Sequence, residues 1–161
     1  MGISKIVEWD ALIGLRKQWK RDGRKVVWTN GCFDILHVGH VRSLQAAKHL
    51  GDILIVGLNS DSSVRQLKGQ GRPVVTERER AEILAALESV DAVTIFPDLT
   101  PERLLRELQP DIHCKGEDYK PPRGKPIPEA AVVAAYGGRI EFIPFEIPTS
   151  TTSLIQSIRR L

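Results

Sequence analysis

Long apolar runs are missing from this chain. None approaches the roughly 20 residues that cross a bilayer, which excludes a transmembrane helix and a membrane partner. The first residues mix Lys5, Glu8, Trp9 and Asp10 and lack the basic-then-apolar order of a signal peptide, so a cytoplasmic location is expected. Cysteine is scarce. Cys32 and Cys114 stand far apart, with no Cys-x-x-Cys pair and no His/Cys cluster at zinc spacing, which excludes a disulfide framework and a structural zinc and predicts two reduced thiols. Three Trp, two Tyr and four Phe are too few, and too little interleaved with basic residues, to make a base-stacking platform, so nucleic acid is set aside as a partner. No G-x-G-x-x-G follows the first predicted core strand, and no G-x-x-x-x-G-K-[ST] occurs anywhere, which removes the dehydrogenase and P-loop readings. The net charge of +3 suits anionic small substrates, and it equally suits an ordinary solvated surface.

What is present is an alternation within a chain of one-domain length, 161 residues. The spacing of Trp9, Leu12, Ile13, Leu15 and Trp19 predicts a helix over 8–21, stopped by Asp22-Gly23. Strand 25–29, helix 38–50, strand 53–58, helix 61–67 and a Gly-rich turn at 68–73 follow. Next come helix 77–88, strand 91–96, helix 101–108 with Pro101 in its first turn, and strand 111–115. A Pro-rich loop at 120–128 leads to helix 129–136, strand 139–143 and a last helix over 151–160. Runs such as Ile53-Leu54-Ile55-Val56 are apolar without alternation, as when helices cover both faces of a sheet. The expectation is an α/β fold: a single-domain, Rossmann-like, doubly wound parallel sheet with helices on both faces. The two-tryptophan face of helix 8–21 either packs on that domain or forms a subunit contact.

The segment Thr29-Asn30-Gly31-Cys32-Phe33-Asp34-Ile35-Leu36-His37-Val38-Gly39-His40 leaves the carboxyl end of the first core strand, where such sheets bind ligands. A helix begins at its end, and unpaired N–H groups with a positive dipole make that a site for phosphate. His37 and His40, three residues apart with Gly39 between them, can donate hydrogen bonds to oxygens on which charge develops. The combination points to phosphate chemistry on a nucleotide.

His37-Val38-Gly39-His40 after the first strand, and Thr149-Ser150-Thr151-Thr152-Ser153-Leu154-Ile155 opening the last helix, resemble the two marks of the cytidylyltransferase-like nucleotidyltransferases. The resemblance covers about 25–160. It divides the chain into an N-terminal helical extension, 1–24, and a nucleotidyltransferase domain, 25–161. T-N-G-C-F-D-I-L-H, the G-L-N-S-D-x-S-V run at 57–64, K-G-x-G-R-P at 68–73 and K-G-x-D-Y at 115–119 are most similar to one branch, the heptose 1-phosphate adenylyltransferases that stand alone without a fused kinase domain. That resemblance implies transfer of AMP from ATP to a sugar 1-phosphate, D-glycero-β-D-manno-heptose 1-phosphate, giving ADP-heptose and pyrophosphate for surface glycolipid or glycan precursors. It implies Mg2+ bound mainly through the nucleotide phosphates, no metal ligand among the side chains, and a homodimer. A phosphate nucleophile is already anionic near neutral pH, so no strong general base is required.

Carried over residue by residue, the resemblance makes His37, His40 and Lys68 catalytic; Lys68 is otherwise part of a plain Gly-rich loop. It places Thr29, Asn30, Gly31, Phe33 and Gly39 beside the nucleotide, with Thr29 touching phosphate and Phe33 also a packing residue. Lys115, Gly116 and Asp118 join them, Asp118 toward ribose or a magnesium-bound water; the alternative is a simple turn. Ser150, Thr151 and Thr152 are assigned to the β- and γ-phosphates, a role compatible with helix capping. Asp34, Asp61 and Arg80 are assigned to the substrate. Against this, Asp34 orients a histidine or caps a turn, Asp61 is an attractive helix N-cap, and Arg80 has Glu77, Glu79 and Glu82 as neighbouring acids. The Pro-rich loop, with Lys120, Arg123 and Lys125, is either a lid over an anionic substrate or a solvated connection. One departure stands out: Phe145-Glu146-Ile147-Pro148 lacks the arginine that glycerol-phosphate cytidylyltransferases carry there. That counts against glycerol 3-phosphate with CTP, the nearest alternative. A non-catalytic nucleotide-binding module is the alternative from another class.

Overall fold

A computed structural model describes residues 4–144, 147 and 149–161. Five strands, β1 (Val26–Gly31), β2 (Ile53–Asn59), β3 (Ala92–Phe96), β4 (Ile112–Gly116) and β5 (Arg139–Ile143), form one parallel sheet in the order β3-β2-β1-β4-β5. Helices α1 (Trp9–Arg21), α2 (Val38–Lys48), α3 (Asp61–Lys68), α4 (Glu77–Ala85), α5 (Glu102–Leu108), α6 (Ala130–Ala135) and α7 (Thr151–Ile158) alternate with them. The fold is the expected Rossmann-like α/β sheet, wound in both directions from β1.

Both faces of the sheet are buried, which is why its strands read as unbroken apolar runs. On one face Val27, Leu54, Val56 and Leu58 pack against Leu44 and Ala47 of α2 and Ala81 and Leu84 of α4. On the other, Val26, Trp28, Ile53 and Ile55 meet Leu12 of α1, Leu104, Leu105 and Leu108 of α5, and Val133 of α6. Gly57 lies against the Trp28 indole; a Cβ there would collide with it, so only glycine lets β2 pass this close.

Of the two expectations for the first helix, packing on the domain is what the structure shows. Leu12 is fully buried, and Trp9, Ile13 and Trp19 pack around it. Arg16 donates to the carbonyls of Leu108 and Gln109, and Ile6 bridges to Val93 beside β3. Several boundaries differ from the periodicity. Helix α4 stops at Ala85, α5 takes Pro101 as its N-cap rather than in its first turn, and a 3-10 turn at Glu117–Tyr119 was not anticipated. Asp61 is not the cap of α3: Ser60 is, accepting from the Ser63 N–H.

The topology opens a cleft. Strands β1 and β2 pair over six residues, whereas β1 and β4 pair only at Val27–Ile112 and Trp28–His113. Beyond that point the two strand ends separate at the position where the winding direction reverses, the general ligand site of such sheets.

Candidate active site

The separated strand ends floor a cleft of about 600 Å³, a volume suited to a small ligand. Thr29, Asn30 and Gly31 enter it from β1, Lys115 and Gly116 from β4. The backbone then turns sharply. Phe33 takes a left-handed conformation, φ +43°, which a bulky side chain rarely adopts and which is the kind of strain that gathers at functional sites. Its ring lies edge-on to His40, 5.2 Å between centroids.

His37 is the N-cap of α2, yet its side chain makes no capping bond. Instead its ring stacks on that of His40, with centroids 3.8 Å apart and planes inclined by 23°. Gly39 permits this: a Cβ there would lie 3.0 Å from two atoms of the His37 ring. The Nδ1 atoms of both histidines are buried without a hydrogen-bond partner among the described residues. Buried polar atoms left in this state ask for an explanation, and a ligand is one. Burial, and then the neighbouring His37, push the His40 pKa down from its ordinary value to about 4; burial lowers His37 as well. Both rings are therefore neutral at pH 7 and act as hydrogen-bonding groups rather than as fixed cations.

Helix α7 starts against the same segment. Thr151 Oγ1 donates to the Ile35 carbonyl at 3.4 Å. Ser150 caps the helix by accepting from the Ser153 N–H, and Ser153 Oγ accepts in return from the Ser150 N–H, both at 3.1 Å. The Ser150 hydroxyl is thus engaged in the cap, while the first N–H groups of α7 have no intrahelical partner. Ser150, Thr151 and Thr152 all line the cleft.

Lys68 ends α3 at the cleft wall, followed by Gly69 and Gly71, both at positive φ. The loop beyond it is tied down by Asp34, whose carboxylate is buried. Asp34 accepts from Arg72 Nε and from the N–H groups of Val74 (2.8 Å) and Val75 (3.0 Å). It neither orients a histidine nor caps its own turn; it latches a loop forty residues away. Arg80 has a comparable task. Wholly buried, it donates to the carbonyls of Cys32 (2.6 Å), Asn59 (2.9 Å) and Val75 (2.9 Å), and to Asp61 Oδ1 (2.7 Å). Its partner is Asp61, not the adjacent glutamates. Glu77 instead accepts from the Asp61 N–H, and Glu79 closes a capping box with Thr76. Among the described residues that wall the cleft, neither Arg80 nor Asp61 appears, nor does Asp118, which pairs with Lys125.

The decisive comparison is with a family model. Residues 28–156 match the one described as Cytidylyltransferase-like. The chain belongs to that family. The two elements that carried the resemblance, His37–His40 and the start of α7, both fall within the matched span and meet in the cleft, and the chain is a nucleotidyltransferase by that membership. Among curated relatives it is 53% identical to the bifunctional protein HldE of Geotalea uraniireducens (strain Rf4), over 97% of this chain and 31% of that one. It is 50% identical to the protein of the same name from Geobacter metallireducens (strain ATCC 53774 / DSM 7210 / GS-15), over 98% and 31%. The chain thus spans about a third of the length of these relatives. Among solved structures it resembles the lipopolysaccharide core biosynthesis protein of Thermoplasma volcanium GSS1, with a TM-score of 0.63 and 26% identity, covering 79% of this chain and all of that one.

The cleft also holds residues to which the sequence reading assigned no role: Arg42, Asn59, Arg72, Tyr119 and Glu129. Arg42 lies two residues beyond the H-x-G-H, and Asn59, Arg72 and Tyr119 sit inside the runs at 57–64, 68–73 and 115–119, so all four were within reach of a motif reading. Glu129 was not. It opens a predicted helix, and nothing local reveals that it packs against β4. Cys32 lies in the cleft as well, but burial raises its pKa against the pull of Lys68, Arg80 and Arg72, which leaves it a thiol rather than a nucleophile.

Proposed function

We propose that this chain transfers AMP from ATP to D-glycero-β-D-manno-heptose 1-phosphate, giving ADP-heptose and pyrophosphate in the cytoplasm, as part of a homodimer. The observation that carries the reading is the stacked His37–His40 pair, with buried unpartnered nitrogens, meeting the N-terminus of α7 in one cleft. The choice of adenylyl donor and sugar rests on the resemblance of the runs at 29–37, 57–64, 68–73 and 115–119, and on the high identity to the relatives above. The likeness to a lipopolysaccharide core biosynthesis protein is in keeping with a surface-glycan precursor as product.

In this reaction a phosphate oxygen of the sugar 1-phosphate attacks the α-phosphorus. A new P–O bond forms as the bond from the α-phosphorus to the α,β-bridging oxygen breaks, and pyrophosphate leaves with that electron pair. Alignment supplies much of the acceleration. His37 and His40 donate to oxygens gaining charge, the first N–H groups of α7 hold the β- and γ-phosphates, and Lys68 closes onto the reacting groups. Among the described residues no three His, Cys, Asp or Glu side chains converge on a common point, and the cleft carboxylates Asp34 and Glu129 are each engaged by cations. In this reading magnesium enters with the triphosphate, as part of the nucleotide substrate.

Pyrophosphate release in the presence of magnesium, with ATP or CTP and a panel of phosphorylated acceptors, tests the assignment. Release with ATP and heptose 1-phosphate alone is expected. Release confined to CTP and glycerol 3-phosphate would replace the reading by its nearest alternative, although three of the residues behind that distinction, 145, 146 and 148, lie outside the described residues.

The depressed histidine pKa values give a second test. Below about pH 6.5 an ordinary imidazole takes up a proton, whereas His40 in the free protein stays neutral down to about 4. A polyanion beside the ring favours the imidazolium and moves that pKa back up. ATP binding at about pH 5.5 should therefore take up protons, and the uptake should vanish by about pH 8. Calorimetry in buffers of different ionisation enthalpy measures it; absence of uptake at the lower pH would mean that phosphate does not reach the histidines.

A further inference from the structure

Glu129, just before α6, is an ionised group in the cleft wall that the reaction above does not use. Its side chain is 2% exposed, and its Oε1 accepts from both His113 Nε2 and Lys115 Nζ at 2.9 Å. Although burial works against the charge, the bonds from His113 and Lys115 bring its pKa to about 2, so it is a carboxylate. His113 is fully buried, and burial lowers its pKa; as a neutral imidazole it donates from Nε2. Lys115 is held from a second side as well, its ammonium lying 4.2 Å from the centroid of the Tyr119 ring.

A carboxylate in the wall of a cleft built for a polyanion is costly unless a cation neutralises it, and a lysine bound to a carboxylate presents little net charge to phosphate. Elsewhere in the cleft the situation is the reverse. Lys68, on the β2 side, and Arg42 of α2 line the cleft and take part in no ion pair among the described residues. The cleft therefore carries uncompensated cations at Lys68 and Arg42 and is charge-balanced at Lys115.

We infer that Glu129 is a positioning residue that fixes the Lys115 ammonium for the uncharged nucleoside part of the nucleotide and, by balancing its charge, keeps the polyphosphate off that wall and leaves it to His37, His40 and the start of α7. The inference rests on the nucleotidyl-transfer reading. Lys115 keeps donors free for ribose or base, while its third is engaged by Glu129.

The test compares binding of magnesium–ATP with binding of inorganic tripolyphosphate, which has the phosphates but no nucleoside. Glu129→Gln keeps the shape of the side chain and frees a cation. It should weaken ATP binding about tenfold, a loss typical of one charge-assisted contact, and tighten tripolyphosphate binding several-fold. The KM for ATP should rise with kcat within about threefold of wild type. A merely structural role would weaken both ligands together, and that result, or no change in either, overturns the inference. The double variant Lys115→Met/Glu129→Gln removes the pair without changing net charge, and guards against a folding defect in the single one. It should weaken ATP and leave tripolyphosphate unaltered; a matching loss of tripolyphosphate would show that Lys115 serves the phosphates. Wild-type protein that binds no ATP would defeat the nucleotidyl-transfer reading itself, whereas ATP binding that Glu129→Gln leaves untouched would defeat only this assignment.

Discussion

Replacing His40 by alanine is expected to lower turnover by about 10²–10³, the effect of removing one donor aimed at developing charge. The expectation follows from the state of the ring. With a pKa of about 4, His40 is neutral at the working pH, so it contributes a directed hydrogen bond rather than a standing charge that would hold ground-state ATP equally well. The loss should accordingly appear mainly in kcat, with a smaller change in KM for ATP. The stacking at 3.8 Å makes His37 and His40 a unit, so the double alanine variant should cost less than the product of the two single losses. Steady-state kinetics on the purified variants measures all three. Near-normal turnover of His40→Ala would sink the assigned mechanism.

Arg80→Ala is expected to cost about 3–5 kcal/mol of stability, because it removes a buried guanidinium that serves a part-buried ion pair and three carbonyls at once. For a domain of this size that is a fall in melting temperature of roughly 6–20 °C. Lysine should not rescue it: one ammonium cannot reproduce a planar fork that reaches Cys32, Asn59, Val75 and Asp61 together. Two of those carbonyls lie where β1 and β2 run into the cleft, so the same change should loosen the floor of the site. Thermal denaturation followed by circular dichroism decides the matter. An unchanged melting temperature combined with lost turnover would return Arg80 to the substrate, as the family resemblance first suggested.

The two cases mark where a reading of the chain stops. The order of helices and strands, the parallel sheet and its two covered faces were legible because they depend on hydrophobic periodicity and on glycine and proline at turns, which are local properties. The H-x-G-H segment was legible for the same reason: strand, turn and helix N-terminus are adjacent in sequence, and the motif carries its own geometry. Arg80 and Asp61 are nineteen positions apart, Asp34 and Arg72 thirty-eight, and Lys115 and Glu129 fourteen, with a Pro-rich loop between the last pair. No periodicity reports such pairings. A charged side chain in an amphipathic helix looks the same whether it faces water or a buried partner, and only packing distinguishes the two.

By itself, then, the sequence determined the class of fold, the strand end that opens into the cleft, and the pairing of two histidines with a helix start. Those follow from short-range spacing, from the burial of apolar side chains and from the limited number of ways to wind a parallel sheet. Tertiary structure alone decided that the two rings stack and stay neutral, that Asp34 and Arg80 hold loops together, and that Lys115 is balanced by Glu129. Each of these depends on groups distant in the chain brought within hydrogen-bond reach where water is excluded, and there electrostatic interactions are strong enough to set a side chain's charge and its task.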